Sequence, residues 1–320
     1  MSSDQTPRAG AGLGLALLSA ASFSTSGSFA RSLADAGWSS GAAVAVRVGV
    51  AAIMLAVPAL IALRGRWGTL RGSRVSVVLY GLVAVAGCQL CYFNAIAHLS
   101  VGVALLLEYL GTVLVVGWMW LRHGHTPRRL TVAGSAIAVM GLVLVLDLTG
   151  DHRVDLIGVL WGLGAAVGLA VYFVLSGQDD NDMPPIAFAC GGMTVGTVTL
   201  LALGAIGALP LAANRGPVAL IGHQVSWLVP ILGLSLVAAA IAYVAGIAAA
   251  RRLGPKLASF VGLTEVVFAV LFAWLVLGEL PHAIQLAGGV LIVAGVALVR
   301  MDELRPAPAE TGAAGEPLVA

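Results

Sequence analysis

Ten separate stretches of this chain run for roughly twenty residues with almost no charge, long enough to cross a hydrocarbon core as helices. They lie near residues 11–30, 39–63, 76–97, 101–121, 130–148, 157–176, 186–208, 226–249, 257–277 and 283–300. Lipid offers no partner to an unpaired backbone N–H or C=O, so such stretches are forced into helix. Composition points the same way. Hydrophobic residues make up 59% of the 320 and charged residues 10%, where an ordinary soluble domain carries about 25% charge. So few charges cannot cover the surface of a soluble chain of this size. The expected fold class is an all-α integral membrane protein of ten transmembrane helices. The first stretch follows Arg8 and, by its length, reads as an uncleaved span rather than a signal peptide.

The loops fix the orientation. With the N-terminus in the cytoplasm, the cytoplasmic segments hold Arg8, Arg64, Arg66, Arg71, Arg74, Arg122, Arg128, Arg129, Arg251, Arg252, Lys256, Arg300 and Arg305, and the outer loops hold only Arg31, Arg153 and Arg215. This is the positive-inside pattern. The cytoplasmic loop at 176–185 dissents, with Asp179, Asp180 and Asp182 and no base, but acidic residues weigh little in that rule. Both termini are therefore expected in the cytoplasm. Lys256 is the lone lysine among seventeen basic residues. That skew, with Ala, Gly and Val abundant, suits a GC-rich bacterial genome and so a bacterial inner membrane. The Pro/Ala/Gly-rich tail, 301–320, is expected to be disordered.

Shifted on itself by 154 residues, the chain places 99–145 on 253–299 without a gap. Trp120–Leu121 falls on Trp274–Leu275, Gly124 on Gly278, Pro127 on Pro281, Ala133–Gly134 on Ala287–Gly288 and Gly141 on Gly295. Five spans per unit is odd, so the second unit enters the membrane from the opposite side. The expectation is a five-plus-five inverted repeat, residues 11–148 and 157–300, the architecture of alternating-access carriers.

Two such units, the stretch GLTEVVFAVLFAWLVLGELP followed by GGVLIVAGVALV, and VALLLEYLG in the fourth span resemble the EamA branch of the drug/metabolite transporter superfamily. The fourth span and YFVLSGQ (172–178) are most similar to the threonine/homoserine exporter group. The resemblance covers nearly all of 11–300 and implies a transporter. Two positions depart from the family pattern: Val266 and Thr112 stand where members often carry proline, one residue after the ninth-span Glu and four after the fourth-span Glu.

Ionisable residues deep in a span are costly, about 2.5–3.5 kcal/mol each at mid-helix. Three stand here: Arg47, Glu108 and Glu265. Glu108 shares its helical face with the small or narrow Ala104, Gly111, Thr112 and Val115, and Glu265 with Ala258, Gly262 and Ala269. Such strips allow close helix approach or leave room for a ligand. In the repeat register Glu265 falls on Gly111, about one helical turn from Glu108. The carboxylates suit a substrate ammonium or a coupled proton; the structural alternatives are a hydrogen bond to a Ser, Thr or backbone group for Glu108 and the fastening of span nine to a neighbour for Glu265. Arg47 suits a substrate carboxylate, or neutralises a Glu. Tyr92, Asn94, Thr112, Tyr172 and Tyr243 complete the candidate set for substrate or proton binding. The serines and threonine of SFSTSGS (22–28), together with Gln89, read as interhelical hydrogen-bonding groups.

The expected function is a gradient-driven secondary transporter, an exporter of a small polar metabolite such as an amino acid. No GxxxxGK[ST] phosphate loop is present. A passive channel or a structural membrane protein is the alternative. An intramembrane enzyme is the weakest, since the chain has no HExxH and no paired intramembrane aspartates. No catalytic residue, metal or cofactor is expected. Cys88 and Cys91 form a CxxC without a second pair or a nearby His, so they read as packing thiols rather than a zinc site. The expected partners are a small-molecule substrate and the bilayer, with no nucleic acid. A monomer and a dimer are both compatible with the sequence.

Overall fold

The computed structural model of the chain describes residues 5–99, 101–123, 128–145, 155–178, 183–220, 222–277 and 283–304. The helices are, in order, α1 (Gln5–Ser24), α2 (Ser26–Asp35), α3 (Ser40–Ala62), α4 (Trp67–Gly72), α5 (Arg74–His98), α6 (Val101–His123), α7 (Arg129–Val145), α8 (Leu156–Ser176), α9 (Pro185–Ala205), α10 (Leu228–Leu253), α11 (Pro255–Gly262), α12 (Thr264–Leu277) and α13 (Ala283–Leu304). Among the described residues six helical stretches are long and apolar enough to cross a membrane: Gly10–Asp35, Ser40–Ala62, Arg74–His98, Leu156–Ser176, Pro185–Ala205 and Leu228–Leu253. Two shorter apolar stretches, Arg129–Leu144 and Leu286–Val299, accompany them. At 1.5 Å per residue, the 23 residues of α3 extend about 35 Å, enough for a hydrocarbon core of about 30 Å.

Several local features depart from a plain reading of apolar runs. The first span is broken at Thr25. Its Oγ1 donates to the Ser22 carbonyl at 2.7 Å, and Ser24 Oγ to the Ala21 carbonyl at 2.7 Å. Hydroxyls that bond back to the preceding turn compete with the helix ladder, so the SFSTSGS cluster serves the backbone here as well as its neighbours. The stretch expected as the ninth span breaks at Leu263 without a proline, and Thr264 Oγ1 donates to the Val261 carbonyl at 2.6 Å. Helix α6, by contrast, runs unbroken past Thr112. Two wide π-helical segments interrupt α5 at Tyr80–Gly87 and α10 at Gly233–Ile241. The repeat offset of 154 residues carries one onto the other.

Between α9 and α10 a short antiparallel hairpin forms, β1 (Val218–Leu220) with β2 (His223–Val225). This connection folds back on the α2–α3 turn. Ser39 Oγ donates to the Pro210 carbonyl at 2.7 Å, Asn214 Nδ2 to the Ala36 carbonyl at 2.9 Å, and Trp38 Nε1 to the Asn214 carbonyl at 2.7 Å. Trp38 is thus buried beneath a loop and packed on Trp227, rather than exposed to headgroups. Trp118 and Trp120 are exposed. At the other end of the chain, α13 continues to Leu304, four residues into the segment expected to be disordered. Residues 305–320, Gly124, Pro127, Gly278, Pro281 and the aspartates at 179, 180 and 182 lie outside the described residues.

Packing repeats itself between the halves. Helices α3 and α9 pack together, as do α7 and α13. The contact of α5 with α8 recurs as that of α10 with α1, α6 with α8 as α11 and α12 with α1, and α3 with α10 as α9 with α5. The α7–α13 contact is antiparallel. A Cβ on Gly295 would meet the Gly134 carbonyl at 2.6 Å, and one on Gly141 the Gly288 carbonyl at 2.6 Å. Only glycine allows that approach.

Candidate functional site

The packed helices enclose a cavity of about 520 Å³ whose wall draws on both halves of the chain. From the first half come α1, α2, α3, α5 and α6; from the second α8, α10, α11 and α12. Six of the eight residues singled out in the sequence line it: Arg47, Tyr92, Glu108, Tyr172, Tyr243 and Glu265. Asn94 and Thr112 stand outside the wall. Asn94 Nδ2 donates to the Leu90 carbonyl at 2.8 Å, and the buried Thr112 donates through Oγ1 to the Tyr109 carbonyl at 2.8 Å. Both satisfy their polar groups on their own helices, an option every Ser, Thr or Asn in a helix has and a sequence does not reveal.

Glu108 sits on α6, with Cys88 Sγ 3.5 Å from its Oε1. The buried face beside it includes Ala104, Gly111, Thr112 and Val115, while Val113 and Leu114 are exposed on the other side. Glu265 stands in the first turn of α12. The break at Leu263 puts a helix N-terminus at that point, and the partial positive charge there favours a carboxylate. The Tyr109 hydroxyl donates to the Gly262 carbonyl beside it at 3.3 Å.

Arg47 departs most from expectation. It makes no ion pair with either carboxylate: among the described residues the ion pairs are Arg31–Asp35 and His98–Asp155. Its guanidinium donates instead to Ser26 Oγ at 3.1 Å, to Gln89 Oε1 at 2.6 Å and to the Ala238 carbonyl. Ala238 lies in the π-helical part of α10, where the widened turn shifts the ladder and leaves a carbonyl for an outside donor. Arg47 is only 1% exposed and fastens α2, α3, α5 and α10 together.

One end of the cavity carries the exposed Arg31 and Ser28 of α2. The other ends on an aromatic layer. Phe23 meets Tyr243 at 5.1 Å between ring centroids, Tyr243 meets Tyr172 at 5.6 Å, Tyr172 meets Tyr80 at 5.9 Å and Tyr80 meets Phe188 at 4.8 Å. Beyond it the Arg251 guanidinium lies 5.7 Å from the Phe188 ring centre and donates to the Met183 carbonyl. The Tyr172 hydroxyl fills the place where a Cβ on Gly246 would stand. Ser19, Phe23, Tyr109 and Gly246 belong to this wall and were not singled out in the sequence. Their residue types are as common in packing as in binding. Cys88 and Gln89, read there as packing and hydrogen-bonding groups, also line it. Among the described residues no three His, Cys, Asp or Glu side chains form a metal-holding group.

Comparison with known proteins follows the same division of the chain. The profile of the EamA-like transporter family matches residues 10–147 and again 156–301. A probable terminal-alkyne amino-acid exporter of Streptantibioticus cattleyicolor is 30% identical over 230 residues, 71% of this chain and 73% of that protein. An uncharacterized transporter of Bacillus subtilis, YdfC, is 27% identical over 163 residues, about half of each chain. A solved crystal structure superposes with a TM-score of 0.70 at 20% identity, covering 92% of this chain and 97% of that one, and so shares the fold. With two family matches that leave little but the termini and one connection uncovered, the chain is a multi-pass membrane protein that belongs to the EamA-like transporter family.

Proposed function

We propose that this protein is a gradient-driven exporter of a small polar metabolite bearing an ammonium group, such as an amino acid, working by alternating access. In this reading ten helices cross a bacterial inner membrane as a five-plus-five inverted repeat, residues 11–148 and 157–300, with both termini in the cytoplasm. The positive-inside distribution of arginines supports that orientation, and the bacterial source of the relatives supports the membrane. The α7–α13 contact supports the inversion. Gly134 against Gly295 and Gly141 against Gly288 exchange places under the 154-residue offset, as antiparallel helices do about a two-fold axis in the membrane plane.

The observation that carries the function is the cavity: two carboxylates, Glu108 and Glu265, enter one space walled by both halves. Glu108 is assigned the substrate ammonium or a coupled proton, and Glu265 supports it from the opposite half. The naming of one relative as an amino-acid exporter fits this chemistry. The test is counterflow with purified protein in proteoliposomes. A carrier loaded with unlabelled substrate accumulates labelled substrate transiently. Labelled substrate that merely equilibrates, with no overshoot for any amino acid or organic amine tried, rejects the carrier reading.

A further inference from the structure

The charged groups of the cavity differ in what they offer a ligand. Four charged residues belong to the wall: Arg31, Arg47, Glu108 and Glu265. Arg31 is at the exposed rim and paired with Asp35 at 3.3 Å, so it adds little net charge. Arg47 is sealed, at 1% exposure, with Ser26, Gln89 and the Ala238 carbonyl already on its guanidinium. Of the two N–H groups that remain, on Nη2 and Nε, the Nε–H has no partner and no exposed surface. Glu108 and Glu265 are both partly exposed and face the space directly. Past its rim, the cavity therefore presents two accessible carboxyl groups and, in Arg47, a cation that a ligand cannot touch.

The rest of the wall continues the pattern. Phe23, Tyr92, Tyr109, Tyr172, Phe173 and Tyr243 line the cavity, and an aromatic face attracts a cation. Tyr172 is buried, and its hydroxyl, packed against Gly246, exposes no surface to a ligand, so its ring rather than its oxygen faces the space. An ammonium entering this space thus meets carboxylates and ring faces, whereas a carboxylate meets like charge and, past the Asp35-paired Arg31 of the rim, no exposed guanidinium. Burying a charge without a partner costs free energy.

We infer that the cavity recognises the ammonium of its ligand alone, and that it selects organic amines with an apolar body over the amino acids of the same body. This rests on the cavity being the transport site and narrows the class of substrate it takes. It reverses the expectation that Arg47 grips a substrate carboxylate.

The test is isothermal titration of the full chain in lipid nanodiscs at neutral pH with two matched sets. One is phenethylamine, phenylalanine and 3-phenylpropionate; the other is butylamine, norvaline and pentanoate. In at least one set the amine is expected to bind at least tenfold tighter than the amino acid, and the acid of that set not to bind. In the folded Glu108→Gln/Glu265→Gln variant the preference should disappear. Should that variant fail to fold, the comparison of ligands on the wild-type protein decides. Amino acids binding as tightly as their amines, acids competing with amines, or no binding in either set would overturn the inference. Counterflow of the same compounds separates the two claims. Overshoot of phenylalanine without any preference for the amine rejects the charge selection and keeps the carrier. Amine-selective binding without overshoot of any compound rejects the carrier and keeps the selection.

Discussion

Glu108 and Arg47 are both charges in apolar helices, yet their surroundings give them different work. Glu108 has one weak side-chain partner, the Cys88 thiol, and faces the cavity. Glu108→Gln keeps the shape and the hydrogen-bonding capacity but cannot ionise. The variant is expected to insert and fold like wild type while transport in proteoliposomes falls at least about tenfold, the effect of losing roughly 1.4 kcal/mol. Wild-type flux from this variant would make Glu108 structural. Arg47 bridges three acceptors on three helices, and hydrogen bonds to a charged group are worth about 1.5–3 kcal/mol each. Arg47→Lys should therefore not rescue it, because a compact ammonium lacks the planar fork. The expected result is a loss of about 3 kcal/mol, read as a lower unfolding temperature in detergent for both Arg47→Lys and Arg47→Gln. An unchanged unfolding temperature for Arg47→Lys would remove the bridging role. The carboxylates were legible in the sequence because a charge in an apolar run is costly and needs a reason. The partners of Arg47 were not, since Gln89 and Ser26 are ordinary in a helix and the Ala238 carbonyl has no sequence signal at all. Phe23 and Tyr109 were invisible for a related reason: an aromatic ring at a cavity and one in a packed core look alike in one dimension.

At the scale of helices, length and apolarity announced the six stretches that are long enough to cross a membrane among the described residues, while the interruptions depended on side-chain choices too local to read. Val266 and Thr112 stand where family members often carry a helix-loosening proline, although Thr and Gly can also bend a membrane helix. One break forms regardless, where Thr264 competes for the Val261 carbonyl, and the other helix stays continuous. Glycine matches in the repeat were legible, and their meaning is contact. Gly295→Val would drive a side chain into the Gly134 carbonyl, whose distance from a Cβ there is already 2.6 Å. Overpacking of this kind costs about 1–3 kcal/mol, so the variant should unfold at lower temperature, and Gly141→Val should do the same through Gly288. A stable Gly295→Val would mean that α7 and α13 are not held at this distance. At the start of α8, Asp155 accepts from the Ile157 N–H at 2.8 Å and from His98 Nδ1 at 3.0 Å. The Ile157 N–H, with His98 adding to it, holds the Asp155 carboxyl below its ordinary value. Its cap is therefore complete above the ordinary carboxylate range and is lost as pH falls through the lowered value. The difference in unfolding temperature between wild type and Asp155→Ala should be present at pH 5 and shrink with acidification. A difference that grows on acidification would contradict the cap.

For the molecule as a whole, the proposed alternating access asks that each half can take the other's place, and the packing pairs that recur between the halves fit that demand. The halves are unequal where it matters for closure. Tyr80, Tyr172, Tyr243 and Phe188 make up most of the aromatic layer under the cavity, but the 154-residue offset relates them to Leu234, Leu18, Gln89 and Ala34. One closure is thick and aromatic, and its counterpart would be thin. Arg251, on Phe188 and the Met183 carbonyl, adds to the thick one. In the proposed orientation, with the termini in the cytoplasm, the aromatic layer faces the cytoplasm and the Arg31 rim faces outward, so the outward-facing form should dominate without substrate. Single cysteines test this in a background where Cys88, Cys91 and Cys190 are alanine. Ser28→Cys at the rim is expected to react with a membrane-impermeant thiol reagent added outside. Ser176→Cys, buried near the aromatic layer at the end of α8, should resist the same reagent added from the cytoplasmic side. Adding Tyr80→Leu, which copies the thin closure, should make Ser176→Cys reactive from the cytoplasm several-fold faster, because the ring that covers the path is gone. Equal labelling of Ser176→Cys with and without Tyr80 would show that the aromatic layer is packing and not a closure. Labelling of Ser28→Cys only from the cytoplasmic side would invert the orientation read from the arginines.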